Sequence, residues 1–174
     1  MVLSQVSGIQ IEGIAAAVPS NTVNVLDTAS VDEKVEAERF VKKIGVRSYH
    51  KSLLKQTASD LCYVAALELI EKKCIKKEDI GILLFVTQAP DYSIPSTACV
   101  LQHRLSLSKD CISFDINLGC SGFSYGLNVI TSLMNSSNVK KALLLCGDIS
   151  TIRYDDEDII RAIIVKRGIM AKMI

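Results

Sequence analysis

No apolar run in this 174-residue chain approaches the ~20 residues that a membrane-spanning helix needs. The first eight residues, MVLSQVSG, lack the basic start and apolar core of a secretory signal. The expectation from both absences is a cytoplasmic protein. Charge of one sign is also missing: 20 Lys and Arg stand against 19 Asp and Glu, so no broad field steers the chain toward nucleic acid or an anionic membrane. The six cysteines (Cys62, Cys74, Cys99, Cys111, Cys120 and Cys146) contain no C-x-x-C pair, and neither histidine stands at ligand spacing from them. That pattern argues against a zinc site or a disulfide frame. In a reducing compartment the default for each thiol is a small buried hydrophobe. No metal and no cofactor are expected, and there is no repeat, low-complexity tract or internal linker.

What the chain does have is an apolar excess. Hydrophobic residues make up 49% of it and the mean hydropathy is +0.30, high for a domain of this length, so surface buried against a partner is expected. The length suits a single domain over 1–174 with a real core. Along the chain, VSGIQIEGIAAAVP (6–19) alternates loosely and reads as a strand or two before a turn at Ser20-Asn21. VDEKVEAERFVKKIG (31–45) predicts a charged helix closed by Gly45. Thr57 and Asp60 form a T-x-x-D capping box ahead of a helix that places Cys62, Ala66, Leu69 and Ile70 on one face. GILLFVTQ (81–88), CISFDIN (111–117) and KALLLCGD (141–148) are short apolar runs with the length and composition of strands covered on both faces. Between them lie a loop, APDYSIP (89–95), a helix from about Ser96 to Leu105, and a second helix carrying Phe123, Leu127, Ile130 and Met134. Alternating strands and helices with short connections predict an α/β fold, a mostly parallel sheet with helices on both faces.

In such a sheet, chemistry gathers where strands end and helices begin. NLGCSGFSYGL (117–127) puts Cys120 at that junction. The unpaired N–H groups and positive dipole end of a helix's first turn favour thiolate over thiol. The Cys120 N–H is a candidate oxyanion-hole donor, and Gly119 and Gly122 allow close backbone approach. The geometry is that of a nucleophile elbow with sulfur in place of oxygen. From position alone, a cysteine that merely fills a tight turn is an equally good reading.

The run NLGCSGFSYGL, with RFVKKIGVRSYH and TQAPDYSIPSTACVLQHRL before it and KKALLLCGD after it, resembles the first half of β-ketoacyl-acyl carrier protein synthase III and its relatives in the thiolase-like superfamily, over about residues 8–158. The resemblance implies the first half of a thiolase-like fold and an acyltransferase of fatty acid or related acyl-chain biosynthesis. In it Cys120 takes an acyl group from a coenzyme A or acyl carrier protein thioester, and a carbanion formed by decarboxylation then attacks that group. It also implies a homodimer or a separately encoded second half, with acyl carrier protein as partner. The family's histidine and asparagine belong to a second half that this chain lacks, so by itself it is expected to condense nothing. His50 and His103 do not match them and read as surface or interface residues.

Several positions depart from the family pattern. Where the family often carries tryptophan and arginine for coenzyme A, this chain has Arg39 and Lys43, which removes a stacking platform and the bidentate fork. Ile152 replaces a further basic contact, with Arg153 adjacent. A carrier-protein thioester therefore fits better than acetyl-coenzyme A, although both charges are equally readable as a solvated helix face. Ile94 stands where a large aromatic is common and leaves room for a longer or branched acyl group, a difference worth ~1–3 kcal/mol. The tail diverges over 159–174: Ala162 to Val165 keep a strand, but Lys166, Arg167, Ile169 and Met170 replace a small acidic turn, as in a frameshifted or split reading frame. Two other readings stand beside the enzyme: a non-catalytic remnant or subunit that associates through an exposed sheet face, and a thiol sensor, which the missing C-x-x-C partner disfavours.

Overall fold

The computed structural model describes residues 6–149. They form two compact units, one built from residues up to 17 together with 56–149, the other from 18–55.

The smaller unit pairs β1 (Asn21–Asn24) with β2 (Ser48–Lys51) in an antiparallel ladder, with Asn21 opposite Lys51 and Asn24 opposite Ser48. Between them runs α1 (Lys34–Ile44), which ends where Gly45 takes φ +83° and returns its N–H to the Val41 carbonyl at 2.8 Å. That left-handed cap needs glycine. The turn expected at Ser20-Asn21 is displaced, because Asn21 already belongs to β1. His50 Nδ1 lies 2.7 Å from the Pro19 carbonyl. A carbonyl can only accept, so Nδ1 carries the proton and the ring ties the strand to the chain entering the unit.

In the larger unit, α2 (Ala58–Lys72) begins with the expected capping box. The Asp60 N–H donates to Thr57 Oγ1 at 3.2 Å, and the Thr57 N–H donates to Asp60 Oδ2 at 3.1 Å. β3 (Ile80–Val86), α3 (Thr97–Arg104), β4 (Ile112–Ile116), α4 (Gly122–Asn135) and β5 (Lys141–Cys146) follow. The strands form a parallel sheet in the order β4-β3-β5, with Ile82 opposite Ile112 and Leu84 opposite Leu144. β3 is central, and Ile82, Leu83, Leu84 and Phe85 are wholly buried. Leu83 and Phe85 pack with Ala66 and Ile70 of α2 and with Ala98 and Leu101 of α3. Ile82, Leu84 and Val86 pack on the other face with Ile130 of α4. Period-two alternation thus feeds two separate helix layers, which is why the run reads as continuously apolar.

The strand expected within 6–19 does not form. A strand exists only as a ladder, and among the described residues no edge pairs with this segment. It nonetheless packs into the unit: a side chain at Gly13 would meet Leu69 Cδ1 at 2.8 Å.

Candidate active site

β3 leads through α3 to β4 on one side, and β4 leads through α4 to β5 on the other side of β3. Because α3 and α4 belong to opposite layers, the connections leaving β3 and β4 part to opposite faces of the sheet. That is a topological switch point, the place at the carboxyl ends of parallel strands where sheets of this kind bind ligands. Cys120 lies there, in the turn between β4 and α4, and is exposed. The turn closes where the Gly122 N–H donates to the Gly119 carbonyl at 2.8 Å, and the Tyr125 N–H then donates to the Ser121 carbonyl at 3.1 Å. Ser121, the N-cap, makes no side-chain cap. Among the described residues, no acceptor takes the Cys120 N–H.

Two glycines hold this turn against the end of β3. A Cβ at Gly122 would sit 2.5 Å from Val86 Cγ1, and one at Gly119 would sit 2.8 Å from Gln88 Oε1. The sequence suggests that these glycines admit a substrate; the structure shows them admitting β3. Gly126, one turn on, repeats the contact with Val86 Cγ2 at 2.9 Å. The spacing of four keeps the contact on one helix face.

Asp148 fixes the strand ends beside the turn. Its Oδ1 accepts the Thr87 hydroxyl at 2.9 Å and the Gln88 N–H at 2.6 Å, so the carboxyl ends of β3 and β5 are tied. Sequence reading passed over Asp148, although the Gly147-Asp148 pair directly after an apolar strand was a visible signal. Gly147 is required as well, since a Cβ there would meet Cys62 Sγ at 2.7 Å.

The loop 89–96 is pinned at its base. Ser59 Oγ donates to Asp91 Oδ2 at 2.5 Å, and the Asp91 N–H donates to Thr97 Oγ1 at 3.0 Å. Asp115 on β4 accepts the Thr97 and Ala98 N–H groups at 2.6 and 2.7 Å, docking the first turn of α3. Arg104 pairs with Asp60 at 2.9 Å and stacks 4.5 Å from the Tyr63 ring centre, joining α3 to α2. Burial pushes the Asp60 carboxyl up, but hydrogen bonds from the Thr57 N–H and Arg104 outweigh it and hold the group below its ordinary value. Above this frame Ile94 is 89% exposed.

Arg39 and Lys43 lie four residues apart on α1, so they share a helix face, and both are exposed. They belong to the smaller unit, while Cys120 and Ile94 belong to the larger. Ile152 and the divergent tail lie outside the described residues. His103 is exposed in the last turn of α3.

The expectation that the other five cysteines are buried holds for Cys62 and Cys111 only. Cys74 follows α2 at φ +50°, Cys99 lies on α3, and Cys146 ends β5, all exposed. Each sits at an element's end or outer face, which residue type alone does not reveal. Burial, with lesser contributions from Cys146, Asp148 and Asp91, pushes the Cys62 thiol up to about 12. Burial also raises Cys111, and burial followed by Asp148 raises Cys146. Among the described residues, no group of three His, Cys, Asp or Glu side chains could hold a metal. No helix among them is long and apolar enough to cross a membrane.

Residues 114–168, which contain Cys120, match the family described as 3-oxoacyl-[acyl-carrier-protein (ACP)] synthase III. A β-ketoacyl-[acyl-carrier-protein] synthase III of Methylococcus capsulatus is 29% identical over 149 residues, covering 86% of this chain and 46% of that protein. A putative 3-oxoacyl-[acyl-carrier-protein] synthase 3 of Campylobacter jejuni is 35% identical over 142 residues, covering 80% of this chain and 40% of that protein. The crystal structure of a 3-oxoacyl-(acyl-carrier protein) synthase from Burkholderia xenovorans superposes with a TM-score of 0.68 at 34% identity, over 75% of this chain and 38% of that one. The chain spans less than half the length of the curated relatives it matches.

Proposed function

From the premise that this chain is a relative of the β-ketoacyl-acyl carrier protein synthase III enzymes, with their thiolase-like fold, we propose that it is the nucleophile-bearing part of a condensing enzyme of fatty acid or related acyl-chain biosynthesis. The observation that carries the reading is an exposed thiol, Cys120, at the switch point of a parallel sheet and just ahead of α4. In the proposed step the Cys120 thiolate attacks the carbonyl carbon of an acyl thioester. The oxyanion meets the Cys120 N–H and the first-turn amides. The bond from carbonyl carbon to the carrier's sulfur then breaks, leaving an acyl-cysteine and a carrier thiol that gains the proton Cys120 gave up. The acyl-cysteine is the electrophile for a carbanion released by decarboxylation.

Arg39 and Lys43 supply positive charge for a carrier, and acyl carrier protein is the proposed donor, with acyl-coenzyme A as the competing one. Ile94 limits the acyl pocket, in a homodimer or in a complex with a separately encoded second half. A cytoplasmic location accords with this chemistry, and no cofactor is needed for the transfer.

The test is intact-protein mass spectrometry after incubation with octanoyl-acyl carrier protein and, separately, octanoyl-coenzyme A. One octanoyl mass is expected, mapped to Cys120 and absent from Cys120→Ala. No adduct from either donor would favour the non-catalytic subunit.

A further inference from the structure

Gln88 stands just past the end of β3. Ile82, Leu84 and Val86 of that strand face α4, and alternation carries Gln88 to the same side, at the end where α4 begins. The packing at Gly119 agrees, because a Cβ there would lie 2.8 Å from Gln88 Oε1, 3.1 Å from Cδ and 3.4 Å from Nε2. The carboxamide thus rests on the glycine, in the space that any side chain at 119 would take. Its root is fixed. The Thr87 N–H donates to the Ile116 carbonyl at 3.1 Å, and the Gln88 N–H donates to Asp148 Oδ1 at 2.6 Å. Its tip is free: Gln88 is exposed, and among the described residues no group bonds to its carboxamide. A carboxamide carries two N–H donors. The Cys120 N–H, only two covalent bonds beyond the Gly119 Cα, likewise has no acceptor among the described residues. Unspent donors from β3 and from α4 therefore stand on one turn, beside the exposed thiol.

We propose that Gln88 is a second oxyanion donor for acyl transfer, its carboxamide N–H meeting the thioester oxygen that the Cys120 N–H also binds. The inference rests on the reading of Cys120 as acyl acceptor. As Sγ bonds to the carbonyl carbon, the π pair moves onto oxygen, and both N–H groups donate to the negative charge that forms. When the pair returns, the bond from carbon to the leaving sulfur breaks, and the departing thiolate takes the proton that Cys120 gave up. The carboxamide neither gains nor loses a proton. A neutral donor of this kind acts most strongly where charge develops, so it speeds acylation and leaves formation of the Cys120 thiolate alone. Gly119 belongs to the same device. A side chain there would push the carboxamide off the turn, and because it would meet the far end of a flexible side chain, the displacement would cost little stability.

Two reagents applied to the full chain, with modification at each cysteine followed by peptide mass mapping, test it. S-phenyl thioacetate acylates a thiolate through an oxyanion, whereas iodoacetamide alkylates it without one. Gln88→Leu keeps the bulk and removes the donors. It should slow acetylation of Cys120 at least about tenfold, while alkylation of Cys120 and acetylation of the exposed Cys99 stay within about twofold. Gly119→Ala should reproduce the loss, and the double variant should lose no more than either single one, as expected of two residues that act as one unit. If Gly119→Ala also slows alkylation, the turn itself has moved and Gln88→Leu alone decides. Unchanged acetylation in Gln88→Leu overturns the inference, and so does equal slowing of both reactions, which would make Gln88 a packing group. Wild-type Cys120 acetylated no faster than Cys99, each relative to its own alkylation, overturns it as well. Because S-phenyl thioacetate needs no carrier, a chain that takes no octanoyl group from either carrier yet keeps the Gln88 effect would end the carrier reading and leave this one standing.

Discussion

At the scale of single residues, the six thiols differ in what surrounds them, and pH separates them. Cys62 is 7% exposed, with burial pushing its thiol up to about 12 against an ordinary value near 9. A thiol that binds its proton more tightly folded than unfolded stabilises the fold fully below about pH 9, and that contribution is lost as pH rises toward 12. Urea midpoints should therefore fall over this window. Cys62→Ala should begin less stable, through the cavity it leaves, yet show a shallower fall. Alkylation at pH 8 should modify Cys120 in the native protein and leave Cys62 and Cys111 unmodified until the chain unfolds. Cys62 reacting as fast as Cys120 would contradict the packing described here.

Asp148 gives a second test at this scale. Its Oδ1 accepts from both Thr87 and Gln88, and Thr87 is only 2% exposed. Asp148→Ala strips the acceptor from a buried hydroxyl, at a cost of about 1–3 kcal/mol. Asp148→Asn keeps a carbonyl oxygen there and should cost clearly less. Equal losses in a denaturant titration would place the role of Asp148 in its charge rather than in its acceptor.

At the scale of elements, α4 is set by glycine. Gly122 and Gly126 bring the helix onto Val86, and only a backbone without Cβ comes that close. Gly122→Ala forces the first turn away from β3, with a cost of about 1–3 kcal/mol. Because Cys120 rides on the same turn, its rate of alkylation or acylation should change by more than the stability loss accounts for. A variant that is destabilised yet leaves Cys120 reactivity untouched would separate the turn's position from its chemistry.

The elements of the larger unit were legible because their signals are local. The capping box at Thr57 and Asp60, the apolar run of β3 and the aliphatic spacing of α4 each fix an element within a dozen residues. The Gly119-Cys120 junction was legible for the same reason. What sequence could not yield depends on distant partners. Whether 6–19 is a strand depends on an edge to pair with. The exposure of Cys99 and Cys146 depends on which face of their elements the fold covers. The clamp from Asp148 to Thr87 joins residues 61 positions apart, a separation that no local pattern encodes.

At the scale of the whole molecule, acyl transfer and condensation should come apart. Transfer needs a nucleophile and oxyanion donors, the roles proposed for Cys120 and the first-turn amides of α4, and a leaving thiolate, which the donor thioester brings. Condensation needs in addition a group that stabilises the carbanion left by decarboxylation, held within hydrogen-bond reach of the acyl-cysteine. His103 cannot serve, because the last turn of α3 lies near the start of β4, at the opposite end of the sheet from Cys120. His50 already spends Nδ1 on the Pro19 carbonyl. The chain spans 46% of its Methylococcus relative and 40% of its Campylobacter relative, and the proposed reading gives it the nucleophile alone. With octanoyl-acyl carrier protein, the chain alone should therefore form octanoyl-Cys120 and hold it. Adding malonyl-acyl carrier protein should then yield neither a 3-oxoacyl product nor carbon dioxide above the enzyme-free blank. Co-expression with a carboxyl-terminal half from a synthase III relative should restore product, and Cys120→Ala in that complex should abolish it. Condensation by the chain alone would mean that its own residues stabilise the carbanion, and would end the proposal that this polypeptide carries only the nucleophile.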